Sequence, residues 1–158
     1  MEIPVKLLPK TLTVIVGRPG VGKTIILTNI ARMFQDETIQ FIDTEGIPEE
    51  YFPRNAVACT KFEFSSYPVV VLIDNIEIIV QRYRLESIKE DAIDNNRIIV
   101  ATMGILPQTR LSDNFIPFLN ESQLASIDNL LHIQDGELHI IKSRYPSDNS
   151  NSNKLRQF

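Results

Sequence analysis

The chain has 158 residues, enough for one domain with a sizeable core. Its 43% hydrophobic and 23% charged residues are ordinary globular composition, which excludes a disordered or fibrous chain. Sixteen Lys and Arg against twenty Asp and Glu give a net charge of −4, which argues against a nonspecific grip on polyanions and leaves room only for a local basic loop.

The opening MEIPVKLLPK, with two prolines and an early acid, lacks the pattern of a secretion signal. A β-branched run at 12–16 then reads as a buried strand. It leads into Gly17-Arg18-Pro19-Gly20-Val21-Gly22-Lys23-Thr24, which matches G-x-x-x-x-G-K-T, the P-loop. At average residue usage a chain of this size matches that pattern by chance about 1 time in 200. Apolar residues at helical spacing follow at 23–34: Ile26, Leu27, Ile30, Ala31 and Phe34. Strand, glycine loop and helix therefore come in the order that the motif requires. The glycines let successive N–H groups turn toward phosphate oxygens, Lys23 supplies a cation for the terminal phosphates, and the Thr24 hydroxyl is a Mg²⁺ ligand. All eight residues are expected to hold a nucleoside triphosphate at the positive end of the helix.

A second strand is expected at 40–42, running into Phe41-Ile42-Asp43-Thr44-Glu45-Gly46. A third is expected at 57–62 and contains Cys59, the single cysteine, which permits no internal disulfide and reads as a small core residue in a reducing compartment. Val69-Val70-Val71-Leu72-Ile73-Asp74 is an apolar strand ending in an acid, the Walker B pattern, and assigns Asp74 to the Mg²⁺ shell. The residue after it is Asn75 and not a glutamate, so the carboxylate that activates water is sought elsewhere, and Glu45 is the candidate general base. A helix is expected over 77–95 and a strand over 98–101. The irregular stretch 106–120 lies after that strand, on the ligand side of the sheet. A short helix near 121–127 precedes strands at 130–134 and 138–142, joined by Asp135-Gly136, a hairpin signal. His132 and His139 on this hairpin read as structural or surface residues, because no third ligand is near in sequence. Residues 1–145 are expected to form the domain, and the polar segment 146–158 a disordered tail.

Strands alternating with helices imply an α/β fold with a mostly parallel central sheet flanked by helices and a C-terminal antiparallel hairpin. The succession GRPGVGKT, FIDTEG and VVVLIDN resembles the RecA/RadA superfamily of recombination ATPases, with its KaiC-like and DnaB-like relatives. The resemblance runs over residues 11–144 and implies a RecA-like P-loop core that uses ATP and Mg²⁺. It also implies Glu45 as catalytic base, and Lys142 and Arg144 as the paired cations that reach the phosphates of a neighbouring subunit. The implied partners are ATP, further copies of the chain or a larger recombinase-like protein, and single-stranded DNA. No apolar run approaches a membrane span, so the expected place is cytoplasmic or beside the nucleoid. The core is short, the strand after Walker B ends in Met103-Gly104 instead of an amide side chain, and 106–120 lacks a basic, glycine-rich character. These departures point to a reduced paralogue. Three readings stay open: an ATPase acting in or beside DNA recombination, repair or replication; a low-activity ATP-binding regulatory or assembly partner of a larger recombinase or helicase; and a small P-loop kinase.

Overall fold

The structure, a computed structural model, describes residues 2–18, 20–43, 52–80, 83–104 and 119–147. The apolar runs become strands where expected: β1 (Thr11–Gly17), β2 (Ile39–Ile42), β3 (Ala56–Cys59), β4 (Val70–Ile73), β5 (Ile98–Gly104), β6 (Asn129–Gln134) and β7 (Glu137–Ser143). They form one seven-stranded sheet in the order β3-β2-β4-β5-β1-β6-β7. Every pairing is parallel except β6 with β7, which is antiparallel. The pair turns at Asp135 and Gly136, both at positive φ.

Burial on both faces explains the strand sequences. Every residue of β1 is buried, and alternate side chains enter two separate cores. Leu12, Val14 and Val16 join Ile73, Ile76, Ile88 and Ala101 on one face. Ile15 joins Phe41, Leu72, Val100 and the inner stripe of α1 (Lys23–Met33) on the other. Ile26, Leu27, Ile30 and Ala31 form that stripe.

The single helix expected over 77–95 is two helices, α2 (Ile76–Ile79) and α3 (Leu85–Asp94). Arg84 breaks the pattern with ψ 144. Packing overrides periodicity here. Tyr83, between the two helices, sits in an aromatic cluster with Phe62 and Phe64, at ring distances of 6.4 and 5.3 Å. The strand expected over 57–62 stops at Cys59 for a related reason: Phe62 turns into the core. Cys59 itself is half-buried and packs against that core. α4 (Glu121–Ser126) starts with a capping box in which Asn120 and Gln123 bond reciprocally. Pro146 bridges to Val5, and Ser147 N–H donates to Pro4 O. The rest of the segment expected to be a tail lies outside the described residues.

Two buried acids organise the edge of the sheet where the parallel strands begin. Arg97, just before β5, is fully buried and bonds Asp91 of α3 at 2.9 Å, Gln40 of β2 at 3.0 Å, and the carbonyls of Glu63 and Pro68. Asp128, just before β6, accepts from Leu12 N–H at 2.8 Å, Lys89 Nζ at 2.5 Å and Arg144 Nη1 at 2.8 Å. Removing one partner of a buried pair strands the other charge, at about 3–5 kcal/mol. Arg97→Ala is therefore expected to lower unfolding stability in urea by about 3–5 kcal/mol. Arg84→Ala, which removes an exposed pair with Glu86, is expected to change it by less than about 1 kcal/mol. Equal effects from the two substitutions would refute the assignment of Arg97 as an anchor.

Candidate nucleotide site

The site lies at the opposite edge, where β1, β4 and β5 end. Register places its parts. Gly17 pairs with Gly104, and Ile73 pairs with Ala101, so β5 runs three residues past the end of β4. That overhang brings Thr102 beside Asp74. Thr102 Oγ1 donates to Asp74 Oδ1 at 2.8 Å and accepts from Asn75 N–H at 2.9 Å. Asn75, at φ 59, turns the chain from β4 into α2. The other oxygen of Asp74 accepts from Thr24 Oγ1 at 3.0 Å. Two residues expected as Mg²⁺ ligands, distant in sequence, are thus in direct contact, and Asp74 is buried.

Two described glycines of the loop between β1 and α1 stand at positive φ. Gly20 and Gly22 have φ of 80 and 97, a region that side chains rarely adopt. A Cβ at Gly17 would run into Ile133 and lie 2.8 Å from Val21 Cγ2, so β6 packs too closely for any larger residue. Lys23 Nζ donates to the carbonyls of Gly17 and Arg18 at 3.0 and 2.9 Å. α1 starts at Gly22, which offers no side-chain cap, and its first turn holds no acid. Its leading N–H groups and positive end are thereby left for an anion. These features fit a nucleoside triphosphate with Mg²⁺: Gly17, Arg18, Gly20, Val21, Gly22 and Lys23 would hold the phosphates, and Thr24 and Asp74 the metal. Pro19 and Glu45 lie outside the described residues, as do residues 106–118.

Two residues at the site escaped the sequence reading. Thr102 is a buried hydroxyl in an otherwise apolar strand, and that exception was its signal. Glu77 stands three residues beyond Asp74, inside the span whose periodicity predicts one helix. Its Oε2 accepts from Gly104 N–H at 2.6 Å. Burial raises the Glu77 pKa, the Gly104 N–H and Lys23 oppose the rise, and Asp74 adds to it. His132 also reaches this edge. Burial lowers its pKa, helped by His139 across the hairpin and by Arg18. Among the described residues no third His, Cys, Asp or Glu joins the two histidines.

Lys142 and Arg144 do not reach the P-loop of their own chain. β6 runs parallel to β1, so β7 runs back and ends at the far edge, where Ser143 pairs with Asn129. There Lys142 Nζ donates to Leu124 O, and Arg144 bonds Asp128 and the Ala125 carbonyl. Burial and Arg144 lower the Lys142 pKa, and Asp128 opposes them.

No protein-family model and no curated protein sequence matches the chain. Solved structures match its fold. The flagellar accessory protein FlaH from Methanocaldococcus jannaschii superposes with a TM-score of 0.58 at 15% identity, covering 87% of this chain and 80% of that one. The RadB recombinase superposes with a TM-score of 0.62 at 14% identity, covering 89% of this chain and 84% of that one. The fold is RecA-like: a mostly parallel sheet with flanking helices and a terminal antiparallel hairpin. Among the described residues no helix is long and apolar enough to cross a membrane.

The Thr102 bridge is testable by a near-isosteric change. Thr102→Val leaves Asn75 N–H and one oxygen of Asp74 without the hydroxyl they share. It should cost about 1–3 kcal/mol in urea unfolding, the penalty for buried polar groups that lose a partner. Thr102→Ser should cost less, because it keeps the hydroxyl. A valine variant as stable as wild type would show that the bridge does not hold the turn.

Proposed function

We propose that this chain is an ATP-binding, Mg²⁺-dependent ATPase of RecA-like fold that works in or beside DNA recombination, repair or replication. The observation that carries the nucleotide reading is the contact between Thr24 and Asp74 at the uncapped head of α1. The likeness to a recombinase supports the DNA context, and the likeness to a flagellar accessory protein supports an accessory role as the second reading. When bound, ATP supplies the phosphoryl group and Mg²⁺ offsets its charge. The residues of this chain then have separate duties. Loop N–H groups and Lys23 hold phosphate oxygens, Thr24 and Asp74 hold the metal, and Thr102 keeps the Asp74 carboxylate aimed. Glu45 takes a proton from water as general base.

The second reading, a low-turnover ATP-binding partner of a larger recombinase or helicase, draws support from Lys142 and Arg144. Both cations already have partners within the chain. Service to a neighbouring copy would require them to leave those partners. Measuring ATP turnover with and without single-stranded DNA separates the readings: DNA-stimulated turnover supports the first, and tight binding with negligible turnover the second.

Lys23→Ala is expected to abolish ATP hydrolysis and weaken ATP binding, with a melting temperature close to that of wild type. The side chain donates to the Gly17 and Arg18 carbonyls of the loop and lies outside both apolar cores. Wild-type turnover in the folded variant would refute the P-loop assignment.

Glu45→Gln is expected to keep ATP affinity and lose about 100-fold or more in turnover, as removal of a general base does. Wild-type turnover in this variant would assign the base elsewhere. The same variant tests assembly. Mixed with Arg144→Ala, it should regain activity if the cations act between subunits, because one mixed interface keeps both groups. A lowered melting temperature in Arg144→Ala with no rescue would assign Arg144 to closing the sheet through Asp128.

A further inference from the structure

Glu77 is unexplained by the nucleotide reading as it stands. It is the second residue of a four-residue helix, it is not needed for the turn that Asn75 and Thr102 make, and its carboxyl is drawn into the site and away from water. Its placement is specific. Gly104, whose N–H it holds, is the last residue of β5 and pairs in register with Gly17, the first residue of the P-loop. Lys23 of α1 and Asp74 after β4 both act on it electrostatically. The carboxyl therefore holds the end of the strand that runs beside the P-loop, within the field of its lysine.

We propose that Glu77 is the positioning residue through which a terminal phosphate is read at the end of β5, one carboxyl oxygen holding Gly104 N–H and the other serving the phosphate. This rests on the ATP reading above. The physical argument concerns charge. An anionic phosphate beside Lys23 takes up the attraction that Lys23 exerts on Glu77 and adds repulsion. A carboxylate so placed must either withdraw from Gly104 or take a proton from solvent. In the second case it behaves as an amide would: Oε2 goes on accepting from Gly104, and the opposite oxygen donates to the phosphate. Burial, which already favours the neutral form, acts in the same direction, while the charge of Asp74 would be offset by the Mg²⁺ it holds. A nucleoside diphosphate brings no terminal phosphate to this position and leaves the pairing as it is.

The reading predicts an unusual order among variants. Glu77→Gln is a permanent copy of the neutral acid and keeps the function, whereas Glu77→Ala loses it. A general base would show the opposite, with glutamine as inactive as alanine. The pH dependence has a definite sign. Because the pKa of Glu77 is raised, the neutral form persists above the ordinary carboxyl range. Preference for triphosphate over diphosphate should fall as pH rises through that raised value, and should not fall in Glu77→Gln.

The test uses the full chain labelled with ¹⁵N-glycine, which gives at most six glycine signals. The probes are Mg²⁺ with a non-hydrolysable ATP analogue, or with ADP. In wild type the Gly104 amide should shift with the triphosphate and not with ADP. In Glu77→Ala its nucleotide-free position should change and the response disappear. The affinity ratio of triphosphate analogue to ADP should fall at least about tenfold in Glu77→Ala, the size expected of one hydrogen bond to a charged group, and stay within about twofold in Glu77→Gln. An unchanged ratio and Gly104 response in Glu77→Ala overturn the inference and leave Glu77 as a clamp on β5. Equal loss in both variants overturns it as well, in favour of an ionised carboxylate. If wild type binds neither nucleotide, the ATP reading falls and this inference with it.

Discussion

A carboxylate out of reach of water is costly unless each oxygen has a donor, and the site is arranged around satisfying one. Asp74 has almost no solvent access, yet it ends a strand at the open edge of the sheet. It is tenable there because α1 brings Thr24 to one oxygen and β5 brings Thr102 to the other. That requirement determines much of the local structure. β5 must overrun β4, α1 must start immediately after the glycine loop, and Asn75 must adopt a left-handed conformation to leave the strand. Displacing any of these would take a donor from a buried charge.

The two edges of the sheet divide their labour. At the edge where the parallel strands begin, charges are locked: Arg97 spends its donors on Asp91, Gln40 and two carbonyls, and Asp128 is held by Lys89, Arg144 and a backbone N–H. Such pairs resist rearrangement, since breaking one strands its partner. At the other edge the groups are ones whose bonds a phosphate or a metal could take over. Lys23 rests on loop carbonyls, and Thr24 donates to an acid with which it would share a metal. Glu77 holds one backbone N–H at this edge. An α/β sheet binds ligands beyond the carboxyl ends of its strands, and here the distribution of fixed and exchangeable polar groups follows that polarity.

The sequence carried the parts of this site that follow from local chemistry. The order of strand, glycine loop and helix, the apolar strand before Asp74 and the Asp135-Gly136 turn each depend on a short run of residues, and each appears in the fold. What was not legible depends on register or packing. Thr102 matters because β5 outruns β4, a fact about pairing that no window of sequence contains. Glu77 had the spacing of a surface helix position. It meets Gly104 because α2 starts directly after β4, beside the overhanging end of β5. The far-edge position of Lys142 and Arg144 was implicit in topology: a hairpin whose first strand is parallel to β1 must carry its last residues away from the P-loop. Glu45 lies outside the described residues, so its role stands on resemblance.

The helix starts show the same logic at the level of single caps. α4 has only six residues and lies away from the site, and it begins with a full capping box. α1 is nearly twice as long and central to the fold, yet it begins at a glycine with no side-chain acceptor and no acid in its first turn. A Ser, Asp or Asn at that position would stabilise the helix by about 1 kcal/mol relative to an uncapped start. Such a side chain would also occupy the N–H groups that an incoming anion needs, and the φ of 97 at Gly22 disfavours any side chain there. The sequence caps the peripheral helix and leaves the central one open, so local stability is forgone where a phosphate would supply it on binding. α2 and α3 also start without a side-chain cap, but each carries an acid in its first turn, Glu77 and Glu86; α1 has neither cap nor acid, the combination that suits an anion at its start.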